Sequence, residues 1–140
     1  MKTVHRVGLM VAAALLLLAL IFWQSERRWL GDLYCFDQPG QVWGLASIPA
    51  DLQPECPASA SYRQEVRERL GRVEQFRVSG WQPKALLPVF TEAGYIPQTD
   101  DLLSNDYSAF LARGAERIQY SAVRQGPETL ITVSGPPAPR

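Results

Sequence analysis

The side chains that most often perform chemistry in proteins are scarce in this chain of 140 residues. It contains one histidine, His5, which precedes the long apolar run described below. The residues after that run therefore lack both the usual general base of serine and cysteine hydrolases and the usual metal ligand. Their one lysine, Lys84, stands at a spacing from Ser79 that matches no serine–lysine motif. We predict no catalytic residue, no metal site and no cofactor, and hence a protein that is not an enzyme.

Carboxylates are the remaining groups that could act as acid or base. Asp100 and Asp101 adjoin, and Glu92 and Asp106 are near them in sequence. Carboxylates that converged in one cleft with raised pKa values would suggest an acid/base pair. Their spacing does not match a calcium-binding loop. We interpret them as helix caps and loop charges.

The two cysteines predict a disulfide. Cys35 and Cys56 both follow the apolar run, with 20 residues between them. An even number of cysteines in an exported segment indicates a Cys35–Cys56 bond, which would stabilise the fold by about 3 kcal/mol. The alternative is two free, buried thiols in a cytosolic domain.

The strongest pattern in the chain is an uncharged run of 17 residues, 7–23. As a helix it would span roughly 25 Å, near the short limit for crossing a bilayer. Basic residues stand at both ends, and the long side chains of Arg6, Arg27 and Arg28 could reach the headgroups. Trp23 also suits the lipid–water boundary. The run predicts an uncleaved signal anchor.

Two other interpretations of this run compete with the anchor. A cleaved signal peptide requires small residues at its cleavage site, whereas the run ends in Ile-Phe-Trp-Gln at 21–24. A lipoprotein requires a small residue before its acylated cysteine, and Cys35 follows Asp-Leu-Tyr. The charge bias does not settle orientation, but the short N-terminal tail cannot fold, so the remainder should be exported. With the disulfide and a composition typical of bacteria, we predict a single-pass inner-membrane protein with a cytoplasmic N-terminus and a periplasmic C-terminal domain.

The chain divides into four predicted segments, and one of them is a folded domain. The segments are a cytoplasmic tail at 1–6, a transmembrane helix at 7–23, a periplasmic domain at 24–134 and a flexible tail at 135–140. The fold class is α+β, with short helices packed on a small sheet that ends in a β-hairpin. The predicted elements are a strand within 41–48, a helix over 62–73, a strand over 76–78, a helix that ends at Gly94 and either begins at Pro83 and kinks at Pro88 or begins later, a helix over 106–112 and a hairpin over 118–133.

The predictions of two of these helices depend on the spacing of apolar residues. The helix over 62–73 has one apolar stripe, and the helix over 106–112 is capped by Asp106 and buries two neighbouring residues. The stripe consists of Tyr62, Val66, Leu70 and Val73, and the buried pair of Phe110 and Leu111.

Residues 74–135 resemble the small β-α-β modules at the N-termini of secretins and TonB-dependent receptors. The likeness rests on the strand over 76–78, the apolar helix ending at Gly94, the helix ending at Gly114 and the closing hairpin. The segment 96–100 departs from it, because the module has a clear middle strand there. The resemblance implies a periplasmic ring-building or signalling domain that binds proteins.

Lysines and arginines number 14, as do aspartates and glutamates, so no net charge recruits nucleic acid.

Because the predicted exported domain is tethered to a membrane and lacks catalytic groups, we predict an accessory subunit that binds another envelope protein in a secretion apparatus or membrane regulator. Homo-oligomerisation stays open. The predicted interaction surface consists of Arg63, Arg67 and Trp81. The alternative function is a sensor for a small apolar ligand or a glycan, with a pocket lined by Trp43, Trp81, Phe90 and Tyr120.

Overall fold

The computed structural model describes residues 2–102 and 104–139, with side chains over 6–98 and 104–139. It is α+β, with a long apolar helix at the N-terminus followed by a small antiparallel-sheet domain. The helix belongs to a first compact unit that ends at Gly31, and the domain begins at Asp32.

Helix α1 covers Lys2–Leu30, a length of 29 residues. Within Arg6–Leu30 an 18-residue window has a mean hydropathy of 2.4, so the helix is long and apolar enough to cross a membrane. A signal sequence would meet the same criteria. Near the end of α1 the Arg27 guanidinium lies 3.9 Å from the ring centre of Trp23. The predicted apolar helix is therefore present, and it continues past residue 23.

The domain is built on one six-stranded antiparallel sheet with the order β3-β4-β8-β7-β6-β5. A two-stranded ribbon, β1 with β2, lies outside this sheet. Two short helices, α2 and α3, complete the domain. The bounds are β1 Gln41–Val42, β2 Ala46–Ser47, β3 Leu52–Glu55, α2 Ala60–Arg67, β4 Arg72–Ser79, α3 Leu87–Glu92, β5 Ile96–Leu102, β6 Asp106–Arg113, β7 Glu116–Gln125 and β8 Glu128–Gly135.

One face of the sheet carries the core. Side chains alternate between the two faces along each strand, and the register aligns the inward positions of neighbouring strands. The segment that follows α1, with its ribbon, and the segment that contains α3 supply further buried apolar residues. The buried inward residues of the sheet include Phe76, Val78, Tyr107, Ala109, Leu111, Ile118, Tyr120, Ala122, Ile131 and Val133, and the two other segments contribute Tyr34, Phe36, Val42, Trp43, Leu86 and Phe90.

Several sequence predictions are confirmed. The disulfide joins Cys35 and Cys56, the strand over 76–78 lies within β4, and the hairpin over 118–133 is formed by β7 and β8. Gly126 makes the hairpin turn with a φ of 60°, a conformation that glycine adopts without strain. Helix α3 begins at Leu87, so Pro88 falls in its first turn, where the missing N–H costs no hydrogen bond.

The predicted helix over 62–73 is wrong in its extent. Helix α2 ends at Arg67, because Arg69 turns to a φ of 59° and the amide of Leu70 donates to the carbonyl of Glu65, in the pattern that closes helices. Leu70 is 70% exposed, and Val73 belongs to β4 instead. The N-terminal cap is Ser59, whose side chain makes no cap hydrogen bond.

The predicted helix over 106–112 is also wrong, because this segment is strand β6. Tyr107 and Leu111 point inward and are buried, whereas Phe110 points outward and is 50% exposed. Residues 96–100, where no clear strand was expected, form part of β5. The strand expected within 41–48 is the β1–β2 ribbon. Residues 74–135 thus contain one helix where the resemblance to secretin modules implies two.

Candidate interaction surfaces

The outward face of the large sheet, which we call the open face, carries polar side chains, charged ones and a few apolar ones. Its positions follow from the alternation along each strand and from the register between strands. The open face includes Gln53, Glu55, Gln75, Arg77, Glu128, Leu130, Thr132, Ser134, Arg117, Gln119, Ser121, Val123, Gln125, Asp106, Ser108, Phe110 and Ala112, with Ile96 at its edge; Val73 has the same orientation but is buried.

The centre of the open face is uncharged. Across four neighbouring strands, β4, β8, β7 and β6, the central outward positions are serine, threonine or glutamine, with Phe110 among them. Phe110 is 50% exposed and lies opposite Gln119, and Ile96, beside Ala112, is 64% exposed. Cores of protein–protein interfaces are depleted in charge and enriched in aromatic residues. The centre shares the low charge and supplies one aromatic residue, Phe110, but the exposed Arg117 lies beside that residue, and serine is a residue type that such interfaces contain less often.

A charged cluster bounds one end of the open face. The Arg77 guanidinium lies 2.9 Å from a carboxylate oxygen of Glu55 and 3.2 Å from one of Glu128. It also donates to the side-chain oxygen of Gln125, at 3.2 Å. The hydrogen bonds that Arg77 donates to Glu55 are the main reason why the pKa of Arg77 is raised. These partly exposed pairs cross three strands, and they leave the uncharged centre beside them.

A groove of about 300 Å³ lies next to the disulfide and includes Arg63. The Arg63 guanidinium lies 4.2 Å from the ring centre of Tyr34, whose hydroxyl donates to the carbonyl of Pro57 at 2.7 Å. Burial raises the pKa of the Tyr34 hydroxyl. The groove is lined by Asp32, Leu33, Tyr34, Pro54, Glu55, Cys56, Pro57, Ala58 and Arg63.

The three residues of the predicted interaction surface do not lie together. Arg63 and Arg67 are on α2, which precedes β4, and Trp81 follows the other end of β4. Eight extended residues span about 27 Å. Trp81 is partly exposed, and the Arg124 guanidinium lies 5.1 Å from its ring centre.

The residues of the predicted ligand pocket separate into three places. Phe90 and Tyr120 are completely buried and pack edge to face at 6.3 Å. The Tyr120 hydroxyl donates to the carbonyl of Pro83 at 2.8 Å, and burial raises its pKa. Trp43 instead stacks with the Arg72 guanidinium at 4.1 Å, and Trp81 lies beside Arg124. Phe90 and Tyr120 therefore contribute to a packed aromatic core.

A buried carboxylate holds the ribbon on the sheet. Glu74, 1% exposed, accepts hydrogen bonds from the Trp43 amide at 2.7 Å and the Arg72 guanidinium at 2.9 Å. Asp37 lies 3.8 Å from Arg72. Trp43 has a φ of 53°, which non-glycine residues seldom adopt. Burial raises the pKa of Glu74, whereas the bonds from Trp43 and Arg72 lower it. The sequence carried no signal for this buried glutamate, which lies between the predicted helix over 62–73 and the predicted strand over 76–78 but belongs to β4.

The groups considered for catalysis are dispersed. Glu92 is exposed on α3, and Asp106 is exposed at the start of β6. The side chains of Asp100 and Asp101, on β5, lie outside the described residues. The Lys84 ammonium lies 5.1 Å from the ring centre of Tyr107. Over the part of the chain whose side chains are described, no three His, Cys, Asp or Glu residues are grouped so as to hold a metal ion.

No protein-family model, curated protein or solved structure matches the chain. The apolar N-terminal helix and the disulfide together suggest a membrane-anchored or secreted protein.

Proposed function

We propose that this chain is a single-pass inner-membrane protein whose periplasmic domain binds another envelope protein, as an accessory or partner-stabilising subunit. The observation that carries the proposal is the open face, with the half-exposed Phe110 in its uncharged centre. A tethered domain whose sheet has one packed face and one bare face is well suited to docking on a neighbour.

The geometry of α1 supports an anchor that stays on the chain. Its 29 residues would span about 43 Å, which matches a bilayer with its headgroups. The helix runs without a break through residues 24–30, where a cleavable signal would need an extended segment with small residues. The stacked pair of Trp23 and Arg27 suits the lipid–water boundary.

The composition of the open face supports protein binding over binding of a polyanion or an anionic membrane. Its charged residues are of both signs: Arg77 is paired with Glu55 and Glu128, and Arg117 and Asp106 are further charges on the face, so the surface offers no basic patch. Phe110 supplies an aromatic side chain of the kind that often anchors an interface. We extend the proposal to a non-catalytic role, supported by the dispersal of Glu92, Asp106 and Lys84.

Site-specific photo-crosslinking in cells tests the proposal. A photoreactive phenylalanine analogue placed at Phe110 of the full-length, membrane-inserted protein should give discrete adducts. The matched control carries the analogue at Glu92, which is exposed on α3 rather than on the open face. Adducts at Phe110 and not at Glu92 would support the proposal. If Phe110, Arg63 and Trp81 all gave none, the proposed function would be overturned.

The anchor is tested separately by the mass of the mature chain. The protein recovered from membranes should still contain residues 7–23 by mass spectrometry and resist extraction with alkaline carbonate. Protease added to the periplasmic side should degrade the domain. A shorter mature chain that is released in soluble form would show that α1 is a cleaved signal.

A further inference from the structure

We infer that a groove around Arg117 on the open face binds an acidic segment of the partner protein, in which a carboxylate lies next to an apolar side chain. This inference rests on the proposed function, because it names the chemistry that the partner of the open face supplies. It depends on an arginine without a counter-ion, on the exposed aromatic ring beside it and on the polar groups that line the same groove.

Arg117 differs from the other basic side chains of the domain. It is exposed, and within residues 6–98 and 104–139 no carboxylate, hydrogen-bond acceptor or aromatic ring contacts its guanidinium. A guanidinium binds a carboxylate through two parallel hydrogen bonds, so the missing counter-ion is one that a partner can provide. The basic residues of the domain that do have an ion pair, hydrogen bond, ring contact or other electrostatic interaction are Arg63, Arg67, Arg69, Arg72, Arg77, Lys84, Arg113 and Arg124.

The groove brings the guanidinium and an aromatic ring to one ligand. It has a volume of about 340 Å³, at the lower end of the range for ligand pockets, and so suits a short segment of chain. Phe110 lies opposite Gln119, and Arg117 is the next outward residue along β7. Such diagonal neighbours stand about 7 to 8 Å apart, within reach of long side chains. The lining residues are Phe110, Arg117, Ile118, Gln119, Ser134 and Gly135.

The other groups of the groove suit a peptide. Phe110 is 50% exposed, so its ring offers an apolar surface to a side chain that neighbours the bound carboxylate. Gln119 and Ser134 lie opposite each other on β7 and β8. Their amide and hydroxyl groups both donate and accept hydrogen bonds, as the N–H and C=O groups of a peptide backbone require. The groove therefore matches an acidic residue, an apolar residue and the backbone that joins them.

The charges of the open face favour a single carboxylate over a phosphate or a polyanion. Phosphate groups are typically bound by clusters of arginines, and polyanions by rows of basic residues. Arg117 stands alone, because Arg77 on the same face is already paired with Glu55 and Glu128. Asp106, also on this face, would repel a polyanion. One arginine beside one aromatic ring fits one acidic side chain of a protein.

Photo-crosslinking from Phe110 in the full-length, membrane-inserted protein tests the inference when it is repeated in variants of Arg117. R117Q should lower the yield of adducts about tenfold, as expected for the loss of a charge-assisted hydrogen bond. R117E should lower it further, because two negative charges would then meet. R117K, which keeps the charge without the planar fork, should retain more adduct than R117Q.

R124E is the matched control. Arg124 is exposed on the same strand, about 23 Å from Arg117, and R124E changes the net charge by the same amount. It should leave the yield at Phe110 unchanged. R117Q and R117E should also unfold at the temperature of the wild type, since Arg117 has no described contact to lose. A loss of adducts in these variants then reports binding and not folding.

The crosslinked segment of the partner gives the decisive result. Mass spectrometry should place the adduct within a few residues of an aspartate or glutamate, and replacing that acid by arginine should restore the adducts of R117E. Wild-type yield in R117E would overturn the inference. So would a crosslinked segment without an acidic residue, an adduct to a lipid or a glycan, or a charge exchange that restores nothing.

The same measurements separate failure of the inference from failure of the proposed function. Protein adducts at Phe110 that persist in R117E, or adducts at Arg63 or Trp81 alone, would leave the interaction function standing and remove only the acidic segment as ligand. The absence of adducts at all three positions would remove the inference and the proposed function together.

Discussion

The two faces of the large sheet are built by the same strands, yet they carry different kinds of side chain. The inward face of β6 and β7 presents Tyr107, Leu111 and Tyr120, all completely buried. The outward face of the same strands presents Ser108, Ser121 and the half-exposed Phe110. Because adjacent residues point to opposite faces, a shift of one residue would exchange these roles. Alternation along the strands thus separates the residues that stabilise the fold from those that are available to bind.

Two phenylalanines give the largest test of this comparison. Phe76, on the inward face, is fully buried and packs edge to face on Phe36 at 5.5 Å. F76A should lower the free energy of unfolding by about 4 kcal/mol, because it opens a cavity in the core. F110A, on the outward face, should change it by less than about 0.5 kcal/mol. Urea denaturation followed by tryptophan fluorescence measures both. Equal losses would show that Phe110 is a structural residue.

The buried ion pair should give the next largest effect. E74A should destabilise the domain by roughly 3 to 4 kcal/mol, since it leaves the Arg72 guanidinium and the Trp43 amide without this carboxylate. E74Q, which keeps an oxygen to accept the Trp43 amide, should cost less. Thermal unfolding compares the two variants. If E74Q were as unstable as E74A, the charge of Glu74 would matter more than its hydrogen bond to the ribbon.

Glu74 should also make stability depend on pH. Burial raises its pKa in the folded state above that in the unfolded state. Between these two pKa values the folded state binds more protons, so the free energy of unfolding should fall as pH rises through that interval. This contribution to the slope should be absent in E74Q, which cannot titrate there. If the free energy of unfolding had the same pH dependence in wild type and E74Q, a group other than Glu74 would be its cause.

Reduction of the disulfide should destabilise the domain by about 3 kcal/mol, because the bond closes a loop of some twenty residues in the unfolded chain. Unfolding with and without reductant measures the difference. The double variant C35A/C56A should match the reduced protein and should not respond to reductant. Thiol labelling of the denatured, unreduced protein should find no reactive cysteine. Two labelled thiols would contradict both the bond and the proposed export.

The ion pairs of Arg77 on the open face should have the smallest effect. R77A should cost about 1 kcal/mol or less, because its partners are partly exposed and water screens the charges. The cost should shrink further in high salt. Denaturation at two ionic strengths checks this. A loss similar to that of E74A would mean that the open face is less accessible to water than its exposure indicates.

The sequence was informative where one local pattern dominated. The apolar run predicted α1, the Gly126–Pro127 turn predicted the β7–β8 hairpin, and cysteine parity predicted the disulfide. Strand β6 was missed because Phe110 beside Leu111 resembles the apolar face of a helix. Tyr107, Ala109 and Leu111 do alternate, but an exposed aromatic residue concealed that period.

The candidate surface was less predictable than the fold. Its serines, threonines and glutamines are spread over four strands, and they become one surface only when the register is known. The predicted interaction surface included Arg63 and Arg67 of α2 because charges on a helix are easy to recognise in a sequence. Arg63, however, is partly buried over Tyr34. The sequence does not reveal the carboxylate of Glu74 as a partner of Trp43, since the contact joins residues 31 positions apart.

The position of the disulfide determines how the domain would respond to mechanical load. Cys35 comes five residues after the end of α1, and its bond leads directly to Cys56, next to strand β3. A pulling force that entered from the proposed anchor would pass through this covalent bond into the chain that continues from Cys56 towards α2. Residues 36–55, which include the ribbon and Trp43, would therefore bear no tension. The covering of the core would stay in place even while the anchor and a bound partner pulled in opposite directions.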